Sequence, residues 1–238
     1  MATAAELMAR VAALADPKQA EIKARFFKTG PGEYGAGDRF VGVRVPQLRK
    51  IIKATGAVAA RDVLTLLRSP IHEYRLLALL LWVRDYARGD EAVRAQIFTA
   101  YLANTRHINN WDLVDVAARD IVGEHLLVRS TGRLTTLARS ASLWERRIAM
   151  IATHAFLRAR RTQPTIDIAV ALIGDSHDLI HKAVGWMLRE LGVHCGRAAL
   201  ESFLSKHARI LPRTALRYAI EHMPPARRRY WMRYGMRR

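Results

Sequence analysis

The sequence predicts an all-α protein, and three observations lead to this fold class. Apolar residues recur at three- and four-residue spacing along nearly the whole chain of 238 residues, as they do on the buried face of an amphipathic helix. Glycine is dense in only one passage, residues 29–41, and no second strand-rich region follows it. Several long helical patterns also begin alike, with a basic residue directly before a small or apolar pair.

The predicted helices follow one another along the chain. The first covers residues 2–14 and the second covers residues 18–28, with Phe26 on its inner face. After the glycine-dense passage, Pro46 opens a helix, because a proline at the first helical position loses no hydrogen bond. Helices are then predicted at 46–55, 59–68, 71–88, 90–104, 110–126, 131–140, 142–160, 164–173, 176–192, 196–206 and 208–222.

The glycine-dense passage requires turn geometry. Four glycines and a proline lie between Thr29 and Asp38, and glycine and proline are the residues that tight turns select. Phe40, Val41 and Val43 follow, with alternating apolar character that favours extended chain. A short β-hairpin near 29–45 and an ordered loop are both compatible with this pattern.

The shared helix starts define a degenerate repeat. In one register, equivalent positions are occupied by Arg75, Asp115, Arg147, Lys182 and Arg213, which are 31 to 40 residues apart. Such spacing is typical of HEAT-like solenoids, in which each helix pair stacks on the next and equivalent positions line one surface. We therefore expect a HEAT-like α-solenoid with a basic concave face. It would be a single domain over residues 1–238, ending in a basic tail at about 224–238.

Composition indicates a polyanion as partner. Lysine and arginine number 39 against 21 acidic residues, for a net charge of +18, and such an excess is most often found in nucleic-acid-binding proteins. No apolar run is long enough to span a membrane, and the N-terminus has no signal-peptide pattern. The single cysteine, Cys195, excludes an internal disulfide framework. We expect a cytoplasmic protein, associated with the nucleoid when it is bound to DNA, without membrane contact and monomeric.

Asp115 is the acid in an otherwise basic row. Trp111 lies four residues earlier, on the same helix face, and Trp186 lies four residues after Lys182 in the same way. An acid repels a phosphate backbone, so its presence there indicates chemistry on the bound molecule. Cleavage of an N-glycosidic bond makes the sugar cationic, and a carboxylate and indole faces would stabilise that charge. The alternative is that Trp111 belongs to the core and Asp115 pairs with a neighbouring arginine.

Three blocks, in this order, make the chain similar to a known family. They are Trp111-Asp112-x-Val114-Asp115, Leu143-Trp144-x-x-Arg147-x-Ala149 and Lys182-Ala183-Val184-Gly185-Trp186-x-Leu188-Arg189-Glu190. Together with residues 42–49 they resemble the AlkD-like DNA alkylation repair family, which are HEAT-like-repeat DNA glycosylases. The resemblance runs from about Lys23 to the last helices.

The resemblance implies a role for each matched residue. Asp115 would be the catalytic aspartate, Trp111 and Trp186 would pack against the deoxyribose backbone of the lesion, and Arg147 would contact phosphate and support the site. The implied activity is that of a monofunctional glycosylase. It would release cationic alkylated purines, such as 3-methyladenine and 7-methylguanine, from double-stranded DNA without metal or other cofactor.

Further DNA contacts and one competing function are also expected. The remaining predicted DNA-binding residues are Arg75, Lys182, Arg213, Arg44 and Phe26. Phe26 stands where the well-studied glycosylases have tyrosine, and segment 29–41 looks longer than their connection. The alternative function is therefore a non-catalytic HEAT-like protein that uses this segment to bind branched or damaged DNA. His177 and His181 are four residues apart, but with no third ligand in sequence they predict no metal site.

Overall fold

Helices account for most of residues 1–234, the part of the chain that the computed structural model describes. Within it, extended pairing is limited to two isolated bridges, so the predicted all-α class is confirmed. Contacts divide the chain into two compact units, Met1–Ala117 and Ala118–Arg238. A single domain over 1–238 stays a prediction, and residues 235–238 of the predicted tail lie outside the described part. No helix within residues 1–234 is long and apolar enough to cross a membrane.

The first unit is built around one long buried helix. Its helices are α1 (Ala4–Ala12), α2 (Pro17–Phe26), α3 (Val45–Lys53), α4 (Ala60–Leu67), α5 (His72–Arg88), α6 (Glu91–Ala103) and α7 (Trp111–Ala118). Helices α1, α3, α4 and α6 all pack against α5, which is buried on most of its circumference. Its middle stretch, residues 76–83, is continuously apolar, and a helix segment that is apolar all round lies inside a unit rather than on its surface.

The second unit stacks helix pairs in chain order. Its elements are a π-helical turn (Arg119–Gly123), α8 (Glu124–Leu126), α9 (Gly132–Ala138), α10 (Leu143–Ala152), α11 (His154–Arg158), α12 (Gln163–Ala171), α13 (Asp178–Cys195), α14 (Arg197–His207), α15 (Arg213–Ala219) and α16 (Pro225–Tyr234). Helix α10 packs on α13 and α13 on α15, while α9, α12 and α14 lie against them. Gly185 makes the second contact possible, since a Cβ there would lie 2.4 Å from the Ala215 carbonyl oxygen. This packing of each pair on the next is the pattern of an α-solenoid.

Several predicted boundaries shift for local reasons. The predicted helix 142–160 is broken at Thr153, whose hydroxyl donates to the Met150 carbonyl at 2.7 Å. The predicted helix 208–222 begins only after Pro212, at Arg213. Residues 225–234 of the predicted tail form α16, which is anchored by the buried Trp231. At these points a side-chain hydrogen bond, a proline or a single buried tryptophan sets the helix boundary, and the spacing of apolar residues does not predict it.

The predicted β-hairpin near 29–45 is wrong, and the ordered-loop alternative is correct. Residues 29–44 form a series of turns in which Arg39 makes one isolated parallel bridge to Ile71. Glycines at positive φ, including Gly37 and Gly42, bend the chain before a strand can extend. Glu73 of α5 then accepts hydrogen bonds from the Val41 and Gly42 amides, which takes the donors that strand pairing would need.

The predicted inner face of the second helix is also wrong. Phe26 is 64% exposed, and α2 has no buried residue. The next residue, Phe27, is buried instead at the C-terminal end of the helix. Helix α2 contributes no buried residue to a core, so the spacing of its apolar residues does not predict which of them is buried. The phenylalanine that is buried, Phe27, directly follows the last residue of the helix.

Candidate functional site

Trp111 and Asp115 lie one turn apart on the partly exposed side of α7. Leu113 and Val114, which lie between them, are fully buried, whereas Trp111 and Asp115 are each partly exposed. Trp111 is thus not a core residue. The sequence placed both side chains on one helix face, and the helix observed over Trp111–Ala118 gives them that spacing.

The Trp111 indole is held by aromatic contacts from the end of α2 and from the loop. Its ring stacks on Phe27 with centroids 5.2 Å apart and meets the edge of Phe26 at 5.9 Å. Phe27 in turn stacks on Phe40, also at 5.2 Å. The indole Nε1 donates to the hydroxyl of Tyr34 at 3.3 Å. Segment 29–41 therefore positions the indole, a function that its glycine content did not suggest.

A buried charge network ties the same loop to α5 and α7. Nδ1 of His72 lies 2.9 Å from Oδ2 of Asp38, and Nε2 of His72 lies 2.8 Å from Oδ2 of Asp112. The Arg75 guanidinium donates to Oδ1 of Asp38 at 2.5 Å. Two acids and two bases thus neutralise each other inside the unit, as buried charges must.

Protonation in this network follows from its geometry. Burial alone would lower the pKa of His72, but the hydrogen bonds to Asp112 and Asp38 and their charges outweigh burial and raise it. Burial alone would raise the pKa of Asp38, but the hydrogen bond from His72 and the charge of Arg75 lower it. A carboxylate can only accept, so the ring between two of them donates from both nitrogens and is an imidazolium.

The network includes residues that sequence analysis did not select. Neither Asp38 nor His72 is predicted from the sequence. Asp112 is more than a helix-start residue, because its Oδ2 contacts the buried His72. Its other oxygen, Oδ1, is buried without a hydrogen-bond partner among the described residues. The amides of Asn109 and Asn110 also donate to Asp38, both at 3.4 Å. The available signal was an acid at the end of a glycine-dense loop and a histidine at the first position of a helix.

Asp115 also acts on the interior of its unit. Tyr101 of α6 is fully buried, and burial together with the negative charge of Asp115 raises the pKa of its phenol. The phenol therefore stays neutral.

In the second unit, α13 presents Lys182 and Trp186 one turn apart. Nζ of Lys182 lies 2.8 Å from Oδ2 of Asp178, and both groups are substantially exposed. Trp186 is partly exposed and donates from Nε1 to Oε1 of Glu190 at 3.1 Å. The sequence prediction that Trp186 follows the face of Lys182 agrees with the observed helix.

Two members of the predicted basic row are buried, contrary to the concave surface on which the repeat register places them. Arg75 is 4% exposed and donates to Asp38 and to the Ser69 carbonyl, and Arg147 is 5% exposed and donates to the Leu179 carbonyl of α13 at 2.6 Å. Both guanidinium groups therefore connect their helices to neighbouring parts of the chain. Their predicted contacts with DNA stay predictions.

The other predicted contacts remain on the surface. Arg44 precedes α3 and Arg213 begins α15, and both are exposed. Two further exposed arginines, Arg68 and Arg106, flank the Asp38 network. Burial lowers the pKa of His107, and the charges of Arg106, Arg68 and Arg75 lower it further. Positive charge is therefore concentrated at this edge of the first unit.

Comparison with known proteins identifies the family to which this chain is similar. The model of a family described as DNA alkylation repair enzyme matches residues 7–223. A solved structure described as a predicted DNA alkylation repair enzyme from Enterococcus faecalis has a similar fold, with a TM-score of 0.67 and 15% sequence identity. The similarity covers 89% of this chain and 97% of that chain. No curated protein matches the sequence.

Proposed function

Because this chain belongs to the family of DNA alkylation repair enzymes, we propose that it is a monofunctional DNA glycosylase. Its substrate is double-stranded DNA that carries cationic alkylated purines of the 3-methyladenine and 7-methylguanine type. It hydrolyses the N-glycosidic bond of the lesion and leaves an abasic site.

The observation that carries this proposal is the pairing of Trp111 and Asp115 on one partly exposed face of α7. As the bond to the base breaks, the deoxyribose acquires positive charge. A carboxylate one helical turn from an indole whose orientation is fixed by Phe27 and Tyr34 provides two groups that stabilise a cationic sugar. The fixed orientation of the indole favours catalysis, because groups that need not reorganise during the reaction stabilise its transition state most.

The cationic state of the lesion explains why one acid is enough. An alkylated purine that already bears positive charge leaves as a neutral base, so no general acid has to protonate it. Asp115 then stabilises the sugar and orients or deprotonates the attacking water.

Surface residues of both units supply the DNA contacts in this proposal. In the first unit, Phe26 is 64% exposed at the edge of Trp111 and offers an apolar surface, and Arg44, Arg68 and Arg106 offer positive charge. In the second unit the contacts are Lys182, Trp186 and Arg213. Arg147 acts through the Leu179 carbonyl, on the first turn of α13.

A base-release assay tests the catalytic assignment. Methylated DNA is incubated with wild type, with Asp115→Asn and with Asp167→Asn, a matched control in which an exposed carboxylate of α12 becomes an amide. We expect Asp115→Asn to release 7-methylguanine at least about 100-fold more slowly, while its DNA affinity is kept or increased. The control should behave as wild type. Equal release by Asp115→Asn would refute the assignment.

One observation favours a second candidate, a non-catalytic binder of branched or damaged DNA. Segment 29–41 contacts Trp111 through Tyr34 and exposes residues 31–33 at its tip. This candidate requires that the wild type release no base, and that removal of residues 31–33 weaken binding to a four-way junction more than binding to a linear duplex. Base release by the wild type decides for the glycosylase.

A further inference from the structure

Three side chains of the second unit direct ligand atoms at one another. His154 is the first residue of α11, and Glu190 and His194 lie one turn apart on α13. The Nε2 atoms of the two histidines are 3.3 Å apart, and Oε2 of Glu190 lies 3.8 Å from His154 Nε2 and 3.6 Å from His194 Nε2. We propose that His154, Glu190 and His194 bind a divalent transition-metal ion of the Zn²⁺ class.

The distances fit a tetrahedral ion. Zn²⁺ binds imidazole nitrogen and carboxylate oxygen at about 2.0–2.2 Å, which places neighbouring tetrahedral ligands roughly 3.3–3.5 Å apart. The three distances observed here, 3.3, 3.6 and 3.8 Å, come within a few tenths of an ångström of that geometry. Two imidazoles and one carboxylate on one side of an ion leave a further position for water or another ligand.

Glu190 is oriented as a metal ligand would be. Its Oε1 accepts from Trp186 Nε1 at 3.1 Å and from the Arg189 guanidinium at 3.4 Å, which leaves Oε2 directed at the two imidazoles. Hydrogen bonds of this kind to the outer oxygen fix a ligating carboxylate and are a regular part of metal sites. Oε2 itself is beyond hydrogen-bond distance of both ring nitrogens, at a separation that an ion would bridge.

Access from solvent is compatible with the proposal. The side chains of His154, Glu190 and His194 are 14%, 15% and 30% exposed, which leaves an entry path from solvent. The charges of Arg119, Arg158 and Arg189 oppose a cation here, and the carboxylate of Glu190 offsets part of that positive charge. A donor set of two nitrogens and one oxygen selects a borderline-soft metal over Mg²⁺.

The site was not predicted from sequence for a structural reason. Glu190 and His194 have the four-residue spacing of neighbours on a helix, but His154 joins them only because the predicted helix 142–160 breaks at Thr153. The histidine pair that sequence analysis considered has other partners. His177 Nδ1 accepts from the Leu179 amide, and His181 Nε2 lies 2.5 Å from the Asp175 carbonyl oxygen.

The proposed ion would act on Trp186 through Glu190. A cation on Oε2 fixes the carboxylate whose other oxygen holds the Trp186 indole, and the His154 ring lies 6.5 Å from that indole. Metal binding is therefore expected to change the fluorescence of Trp186. The inference is independent of the glycosylase proposal, because its test measures metal binding and not base release.

Calorimetric titration of untagged, chelator-treated full-length protein with Zn²⁺ tests the proposal. We expect one ion per chain, with affinity at least about tenfold lower in His194→Ala and Glu190→Gln. The matched control is His222→Ala, which removes an exposed histidine of the same unit and should bind as wild type. Circular dichroism of the metal-free variants verifies that each is folded.

Two spectroscopic measurements complete the test. Co²⁺ should give the visible bands of a nitrogen–oxygen site in wild type and lose them in Glu190→Gln, and the fluorescence change on Zn²⁺ addition should disappear in Trp186→Phe. Wild type that binds no stoichiometric ion would overturn the proposal and leave only a hydrogen bond between His154 and His194. Equal affinity in both ligand variants would overturn it as well.

Discussion

Nε2 of His72 lies 2.8 Å from Oδ2 of Asp112, which connects the first turn of α5 to the first turn of α7. The other ring nitrogen faces Asp38, the last acid of the glycine-dense loop. Both contacts need a donor on histidine, because a carboxylate provides none. The placement of Trp111, adjacent to Asp112, therefore depends on a proton carried by His72.

Stability should depend on pH through this proton. The pKa of His72 is raised in the folded chain, so its contribution to the free energy of unfolding is complete below its ordinary pKa of 6.5 and is lost as pH rises through the higher folded pKa. Urea unfolding of wild type and His72→Gln, from about pH 5 to about pH 9, should show a stability difference that shrinks with rising pH. His222→Gln is the control. A difference that stays constant over this range would contradict a charged His72.

Removing the acid at the centre of the network should be more damaging. Asp38→Asn leaves His72 and Arg75 without their shared counter-charge in a buried place, so we expect a loss of about 3–5 kcal/mol in unfolding free energy. Glu21→Gln is the matched control, because its exposed pair with Arg25 at 3.9 Å contributes at most about 1 kcal/mol. Protease cleavage within 29–41 should accelerate in Asp38→Asn alone. A loss no larger than that of the control would show that the network does not hold the loop.

Gly42 lies near the C-terminal end of the loop, where its backbone approaches the Asp16 carbonyl closely. The residue has a φ of +85°, and an added Cβ would lie 2.0 Å from the Asp16 carbonyl oxygen. Gly42→Ala should therefore lower the unfolding free energy by at least about 1–3 kcal/mol. Gly56→Ala is the control, since nothing lies within 4 Å of a Cβ at that position. Equal stability of the two variants in urea would contradict the close approach.

The spacing of apolar residues predicts the helices, because their buried faces repeat regularly. It does not predict contacts between residues that are far apart in the sequence. Leu113 and Val114 are buried as their spacing in α7 requires, and the partly exposed Trp111 and Asp115 follow from the same pattern. The Asp38–His72 contact joins positions 34 residues apart through a loop whose path no pattern encodes. The repeat register predicts a surface position for the buried Arg75, because a register gives the position of a residue along a helix but not its burial.

Tyr34 should influence catalysis without taking part in it. Its hydroxyl accepts the Trp111 indole hydrogen, so Tyr34→Phe removes a contact worth about 1 kcal/mol, which corresponds to about a fivefold slower release of 7-methylguanine. Tyr74→Phe is the control, because the contact of its hydroxyl within residues 1–234 is a long one, 3.5 Å to the Met8 carbonyl. Unfolding curves should show both variants folded under the assay conditions, with Tyr34→Phe less stable than wild type by at most about 1 kcal/mol. Unchanged release by Tyr34→Phe would mean that the loop does not position the indole.

Salt dependence distinguishes the surface cations from the buried ones. Each phosphate contact that is lost should reduce the slope of log affinity against log salt by about 1, so Lys182→Met and Arg213→Met should each flatten the plot for duplex DNA. Arg75→Met should instead lower stability, because its guanidinium bonds the buried Asp38 carboxylate. Affinity measured by fluorescence anisotropy at several salt concentrations, beside urea unfolding, gives both quantities. An Arg75 variant with a flattened slope and unchanged stability would restore the basic row that the repeat register predicts.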